Sequence, residues 1–349
     1  MEKIKSLKEL AMPISEAEYR AMPALSYSTL AKYERGGFDS ISTLFDSIST
    51  PSTVYGQLVD TLVTGTREEF EERYLVCDFP DISDTIIKIV KDLFFKYSHI
   101  YSSILDIPND SMLEVLNNLA YQNNWKPETR CKVIKEKGEE YYNLLYLSQT
   151  KEIVSMKDYE DALAAYDALK NSDSTKWYFQ PDNPFDGIER LYQLKFKATL
   201  NDIDYRIMAD LIIVDHNNKL IIPADLKTSG KKEYQFHKSF KDWGYWWQGI
   251  LYTKVLEANI KQDDYFKDFK IMPYIFIVVN RYNLTPLVWE FEDNHSDTDL
   301  VYGKNQDIII RHPLNIGKEL KYYLDSSDNV PIGINKTGKN SLKQWLNTL

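Results

Sequence analysis

The chain has 349 residues, 43% hydrophobic and 27% charged, an ordinary globular balance that is long for one small α/β unit and leaves room for an enlarged domain or two domains. With 42 Lys and Arg against 52 Asp and Glu the formal charge is −10, so any affinity for phosphate must come from local basic patches rather than from the protein as a whole. Only two cysteines are present, Cys77 and Cys131, which excludes a disulfide framework, a thiolate zinc set and a four-cysteine iron–sulfur cluster.

The N-terminal stretch, MEKIKSLKELAMPISEAEYR, is charged and lacks the apolar core of a signal peptide, and no apolar run approaches a membrane span; a soluble, cytoplasmic protein without membrane partners is expected. Residues 1–50 read as short helices and loops, with Ser26 and Ser28 placed to cap a helix that begins near Leu30. A helix follows from Ser52 to Gly65, with Leu58, Leu62 and Val63 on one side. Gly56 near its start permits close approach of backbone to a neighbour or ligand. Asp60 on that helix reads, from physics alone, as solvated surface.

Residues 80–180 carry helical spacing over Ile86–Tyr97, Asp110–Tyr121 and Lys157–Asn171, interrupted at Pro108 and Pro127. A short basic run lies here, Arg130, Lys132, Lys135 and Lys137 near Trp125 and Lys126. With Glu136, Glu139 and Glu140 interleaved it reads as a solvated face, a DNA-contacting surface being the alternative.

From Gly187 the period changes to that of strands: Ile188–Leu200 alternates, and Ile207–Val214 and Lys219–Asp225 flank the reversal residues Asp215 to Asn218, which predicts a β-hairpin. Tyr274–Asn280 is continuously apolar, as in a strand covered on both faces, and Thr285–Phe291 alternates again. Asp210 lies within the first hairpin strand, and Asp225 and Lys227 end the second. Alternation puts Asp225 and Lys227 on one side and sends Leu226 into the core. Two carboxylates and an ammonium are then expected to converge, a set suited to metal-assisted phosphodiester hydrolysis. An acid-x-Lys triplet alone recurs roughly four times by chance in a chain of this composition, so its position at the end of an apolar strand carries the reading. Pro223 removes a ladder donor and predicts a bulge or an edge just before Asp225.

Beyond Lys227 comes the most basic segment, with Lys231, Lys232, His237, Lys238 and Lys241 among Tyr234, Phe236 and Phe240, read either as a mobile phosphate-holding loop or as a solvated one. A heavily packed helix is expected over Asp242–Ala258, with Gln248 and Tyr252 on one face, filler on physical grounds alone. The tail predicts helices at Lys318–Leu324 and Asn340–Leu349, with positive character from Lys318, Lys321, Lys336, Lys339 and Lys343.

Asp210, the block Asp225-Leu226-Lys227-Thr228 and the pair Gln248 and Tyr252 resemble the PD-(D/E)xK nucleases, and more narrowly the phage and bacterial recombination exonucleases of the RecE, lambda-exonuclease and RecB-nuclease type. Upstream, Leu25-Ser-Tyr-Ser-Thr-Leu30 and Tyr55-Gly-Gln-Leu-Val-Asp60 look like that family's opening segment and its Gly-x-x-x-His motif, with Asp60 where many relatives place a metal-binding His. Near the acidic residue some relatives carry before the hairpin stand Glu189 and Gln193, neither a clear match. The resemblance covers roughly residues 25–75 and 185–260.

It implies an α/β, restriction-endonuclease-like fold: a mixed central sheet flanked by helices, with an inserted helical region. The expected division is 1–75 as the helical part of the nuclease core, 76–184 as the insertion, 185–298 as the sheet with the site, and 299–349 as a helical tail. It implies a Mg²⁺-dependent deoxyribonuclease, with Mn²⁺ as an alternative ion, that processes DNA ends for phage or bacterial recombination in the cytoplasm of the host. In that reading Asp60, Asp210, Asp225 and the carbonyl of Leu226 hold metal, and Lys227 positions or helps deprotonate the attacking water. Gln248, Tyr252, Thr228, Lys231, Lys232 and Lys238 contact DNA. A single-strand annealing protein or recombinase as partner, and a homo-oligomer, follow only by analogy. An endonuclease on the same core and a nuclease-fold binding or scaffold protein without turnover stay open.

Overall fold

The computed structural model describes residues 4–46, 50–78, 80, 82–183, 185–293, 297–302 and 308–325. The expected helix at Asn340–Leu349, with Lys336, Lys339 and Lys343, lies outside the described residues. In chain order the elements are α1 (Glu16–Ala21), α2 (Tyr27–Gly36), α3 (Pro51–Thr64), α4 (Arg67–Arg73), β1 (Tyr74–Val76), α5 (Asp84–Tyr97), α6 (Asn109–Asn118), α7 (Pro127–Leu147), β2 (Glu152–Val154) and α8 (Met156–Asn171). There follow β3 (Ile188–Leu200), β4 (Ile203–Asp215), β5 (Leu220–Ser229), α9 (Phe236–Trp243), α10 (Tyr245–Ile260), β6 (Lys270–Ile271), β7 (Tyr274–Asn280), β8 (Leu287–Phe291), β9 (Leu300–Tyr302), β10 (Ile308–Ile310) and α11 (Pro313–Asp325). The class is α/β, a mixed sheet flanked by helices. Two compact units are present, one of residues 1–64 and 164–349 and the other of residues 65–163.

The larger unit is built on a six-stranded sheet of order β3-β4-β5-β7-β8, with β6 also on β5. Hairpins make β3–β4, β4–β5 and β7–β8 antiparallel, whereas β5 and β7 run parallel because α9 and α10 cross over between them. All seven residues of β7 are buried, as its continuous apolar run predicts. Ser26 caps α2 reciprocally with Thr29, which starts that helix one turn before Leu30. Leu25, just ahead of it, bridges to Tyr205: its N–H donates to the Asp204 carbonyl (2.9 Å) and its carbonyl accepts from Arg206 N–H (2.8 Å). The opening segment is thereby fixed to the flank of β4.

Pro223 lies on neither an edge nor a bulge of its own strand, because β5 is central. The irregularity is on the partner side: Ile221 pairs with Ile271 and Ala224 with Ile275, so one extra residue separates β6 from β7 opposite Pro223. Leu226 N–H faces β4, so by alternation the nitrogen of residue 223 faces the β6–β7 side, where this break leaves no ladder bond to lose.

The helix expected over Asp242–Ala258 is two helices. Gly244, at φ 65°, turns the chain left-handed between α9 and α10, and a Cβ there would lie 2.3 Å from the Trp247 ring. The basic segment expected as a mobile loop is a 3₁₀ turn at Glu233–Gln235 followed by α9, whose Phe236 is buried and packs on Tyr245 and Trp289. An aromatic at every third or fourth place, Phe236, Phe240 and Trp243, gives α9 its helical period.

The smaller unit has its own core, in which α5, α6 and α7 enclose Ile89, Val90, Leu93, Met112, Leu116, Ile134 and Tyr142. Pro127 starts α7 rather than only interrupting a pattern, a first-turn place where its missing N–H costs nothing. Its first residue is 65 rather than 76 because α4 leads directly into β1, which pairs with β2. Residues 172–184 belong to the larger unit, where Arg190 donates to the Trp177 carbonyl (3.0 Å). In the basic run of α7, Arg130 is buried on Asn117 and Asn123 and Lys135 donates to the Leu105 carbonyl, so these two serve structure.

Replacing Gly244 with Ala is expected to destabilise the protein by about 1–3 kcal/mol, since a left-handed backbone and a ring contact both oppose the methyl. Gly230→Ala, where nothing lies within 4 Å, is expected to change stability by no more than about 0.5 kcal/mol. Urea denaturation of both variants measures the contrast, and equal midpoints would contradict it.

Candidate active site

β5 pairs with β4 only as far as Ala224 opposite Leu211. Beyond that point the two strands part, and the next residue of each is an acid, Asp225 on β5 and Asp210 on β4. In the gap Leu226 N–H, which has no backbone partner across the fork, donates to Asp210 Oδ2 at 3.0 Å. The carbonyl of Leu226 faces the same flank, because N–H and C=O of an extended residue point together.

Asp225 and Lys227 share one face of β5. Asp225 is 3% exposed and Gln248 of α10, 2% exposed, donates through Nε2 to its Oδ1. The other oxygen, Oδ2, is in ion-pair contact with Lys227 Nζ, yet no hydrogen-bond donor is aligned on it. Lys227 Nζ also lies over the Tyr245 ring, 5.1 Å from its centroid. Tyr245 stacks on Phe276 and Phe236 and stands 6.5 Å from the ring of Tyr27. Tyr245 therefore presents the ammonium with a ring that is itself packed among aromatics.

Leu226 and Thr228 take the other face. Leu226 is half-buried rather than in the core, which corrects the expectation for it. Thr228 meets α3, where a Cβ on Gly56 would lie 3.1 Å from Thr228 Oγ1. The close approach that Gly56 permits is thus to β5 itself. Asp60, one helical turn on, approaches the fork from this α3 side and is held by Gln193, whose Nε2 donates to Oδ2 (3.0 Å) and Oδ1 (3.2 Å) of Asp60 and to Thr64 Oγ1 (3.1 Å). Gln193 is at φ 52° inside β3, and its place opposite Asp210 is skipped in the β3–β4 ladder. A left-handed residue within a strand is strained, and here the strain aims the amide at Asp60. Glu189 is away from the fork, on Ser6 and near His216, so Gln193 is the β3 residue that reaches the site.

Charge is crowded in the fork. Burial, and then the negative charges of Asp225 and Asp60, push the Asp210 carboxyl well above the usual carboxylate range, against the opposing pull of Lys227 and Leu226 N–H. Burial works against the Lys227 ammonium, but Asp225, Tyr245 and Asp210 outweigh it and hold its pKa above that of a free lysine. Lys227 keeps 19% of its side chain accessible, and Asp210 is half-buried; both are nevertheless surrounded by protein on most sides. Lys227 thus stands as a cation against Asp225 and Tyr245.

The structure brings together Asp210, Asp225, Lys227 and the Leu226 backbone. It does not gather all three carboxylates: among the described residues no group of three His, Cys, Asp or Glu side chains is placed to hold a metal ion. Asp225 and Asp60 come from opposite faces of β5, with Asp210 between them. The residues nonetheless fit Mg²⁺ in the mode that uses one or two carboxylates and fills the remaining positions with water and phosphate. The buried Asp225 Oδ2, ion-paired with Lys227 but with no hydrogen-bond donor aligned on it, and the electrostatically strained Asp210 are the observations behind that fit.

Gln248 and Tyr252, expected to contact DNA, are buried instead; Gln248 positions Asp225, and Tyr252, 9% exposed, packs edge-on against Tyr274. Thr228 is half-buried against α3, and Lys231 pairs with Asp242 at 2.6 Å. Lys232 and Lys238 are exposed. Tyr27 and Tyr245 were not singled out by the sequence, although Tyr27 is inside the Ser-Tyr-Ser segment and Tyr245 lies three residues before Gln248, on the same helical face. A cavity of about 230 Å³ lined by Phe240, Trp246, Ile250 and Phe291 is on the opposite side of α10 from Gln248.

No protein-family profile and no curated protein matches the chain. Among solved structures it is similar to one titled "Putative exonuclease" from Eubacterium rectale, with 11% identity, a TM-score of 0.41, and coverage of 91% of this chain and 86% of that one. No helix among the described residues is long and apolar enough to cross a membrane.

Because the folded-state pKa of Asp210 is raised, its carboxyl favours folding fully below the ordinary value of 3.8, and that contribution is lost as pH rises through the folded-state value. Asp210→Asn removes the charge and keeps an oxygen for Leu226 N–H. In chelator-containing buffer the variant is expected to be more stable than the parent near neutral pH, with the gap closing on acidification. A gap that stays constant across the titration would show that Asp210 is not the strained group.

Proposed function

We propose that the protein is a metal-dependent DNA nuclease of the PD-(D/E)xK type that hydrolyses phosphodiester bonds at DNA ends, in the service of phage or bacterial recombination. The observation that carries this reading is the fork itself: two acids from adjacent strands, a backbone carbonyl and a charged lysine at the point where β4 and β5 separate. Asp210, Asp225 and the Leu226 carbonyl would hold Mg²⁺, or Mn²⁺, with Asp60 approaching from the α3 side. When bound, the ion supplies Lewis-acid neutralisation of the phosphate and a more acidic water. Gln248 fixes the rotamer of Asp225. Lys227, a cation against Tyr245, faces the negative charge that develops on the phosphoryl oxygens and orients the attacking water by donating to it. An annealing protein or recombinase as partner, a homo-oligomeric assembly and a place in the cytoplasm of a host cell belong to the same proposal and rest on the resemblance.

A second reading is favoured by one observation. The three carboxylates do not form a three-ligand cluster, which suits a nuclease-fold DNA-binding protein without turnover.

Linear and closed-circular duplex DNA, incubated with the protein and Mg²⁺ or Mn²⁺, separates these readings. Loss of the linear form alone is expected, and Lys227→Ala should slow it by about 100-fold or more. Nicking of the circle would indicate an endonuclease. DNA that is bound but unchanged with either metal would leave the binding protein as the better account.

A further inference from the structure

Next to the fork lies a surface that the hydrolytic residues do not use. Trp243 ends α9 with 51% of its surface exposed. The Arg35 guanidinium stands over its ring at 5.0 Å from the centroid, and Arg35 Nη1 also donates to the Trp243 carbonyl at 3.3 Å. The same carbonyl accepts from Tyr27 Oη at 2.8 Å. Tyr27 adjoins Tyr245, and Tyr245 lies under Lys227. A continuous series of contacts therefore runs from the catalytic ammonium to an open indole.

That ring is prepared on one side only. Arg35 covers one face and holds the indole in place, which lowers the entropic cost of using the other. Along α9, His237, Lys238 and Lys241 are exposed, and Lys232 precedes them. The nearby acid Asp242 is paired with Lys231, and Glu233 accepts from the Asn280 and Asn283 amides, so neither carboxylate is directed against an incoming phosphate. In a chain of net charge −10, a guanidinium fixed on an exposed indole is the local contrast that single-stranded nucleic acid requires: stacking for a base and a cation for its backbone.

We infer that Trp243, held by Arg35, is a stacking platform for an unpaired base of single-stranded DNA leading to the fork, with the exposed Arg35 guanidinium available to an adjoining phosphate. The assignment rests on the nuclease reading for its direction, not for its existence: it makes the preferred substrate a frayed or single-stranded end. Base pairs inside a duplex offer no free face to the indole.

The test is anisotropy of a fluorescein-labelled oligothymidylate in EDTA, where no cutting occurs. Trp243→Ala is expected to weaken binding by roughly 10-fold or more and Trp243→Phe to restore most of it, the range reported for one stacked base. An oligonucleotide of abasic sites should bind parent and Trp243→Ala equally, which a merely structural tryptophan would not produce. Oligothymidylate binding that is absent in the parent, or unchanged by Trp243→Ala, overturns the platform. Because these readouts need no metal, Trp243-dependent binding in a protein that cuts no DNA would refute the nuclease reading while leaving the platform standing.

Discussion

The separation of β4 from β5 after Leu211 and Ala224 is the constraint on which the site depends. Continued pairing would have buried two adjacent acids within a ladder, with no room for a ligand. Separation leaves Leu226 N–H without a backbone acceptor, and the Asp210 carboxylate supplies one. The same gap raises the electrostatic energy of the fork, because Asp210, Asp225 and Asp60 crowd a region that water reaches poorly. Such crowding is a cost in the empty protein and an attraction for a divalent cation, the trade of stability for function expected at active sites.

The surrounding scaffold limits that cost. Gln248 and Lys227 each take up part of the charge of Asp225, and Gln193 does so for Asp60 from a strained backbone. The helices divide the work: α10 supports the Asp225 face of β5, and α3 reaches its Thr228 face through Gly56. Leu25 occupies the flank of β4 that β5 has left, which keeps the fork from closing and sets Tyr27 beside Tyr245.

Much of this was legible in the sequence. Alternation marked β3 and a continuous apolar run marked β7 to the residue, the start of β4 came four residues earlier than its apolar run suggests, and the strand period put Asp225 and Lys227 on one face of β5. The hairpin of β4 and β5 was legible from its turn residues, but the pairing of β5 with β6 and β7 was not. Pro223 reads as a breaker, but its tolerance depends on the one-residue mismatch between β6 and β7, a long-range feature. Gln193 gives no local sign of a left-handed backbone, since a glutamine in an alternating strand reads as surface; only its place opposite Asp210 explains it. Gly244 was overlooked because the aromatic run around it has a helical period on both sides. Gln248 and Tyr252 were placed against DNA by the resemblance alone, whereas the packed helix face read from the sequence is what the buried positions show.

The central claim is that the fork is a divalent-cation site, and the most direct measurement is the thermal midpoint of the protein as Mg²⁺ or Mn²⁺ is added to a chelator-stripped sample. A ligand that binds only the folded state raises that midpoint in proportion to its occupancy. A rise that is progressive in the parent and absent in Asp225→Asn is the predicted result. A midpoint that does not respond to either ion, or that rises equally in Asp225→Asn, would contradict the assignment of the fork as a metal site.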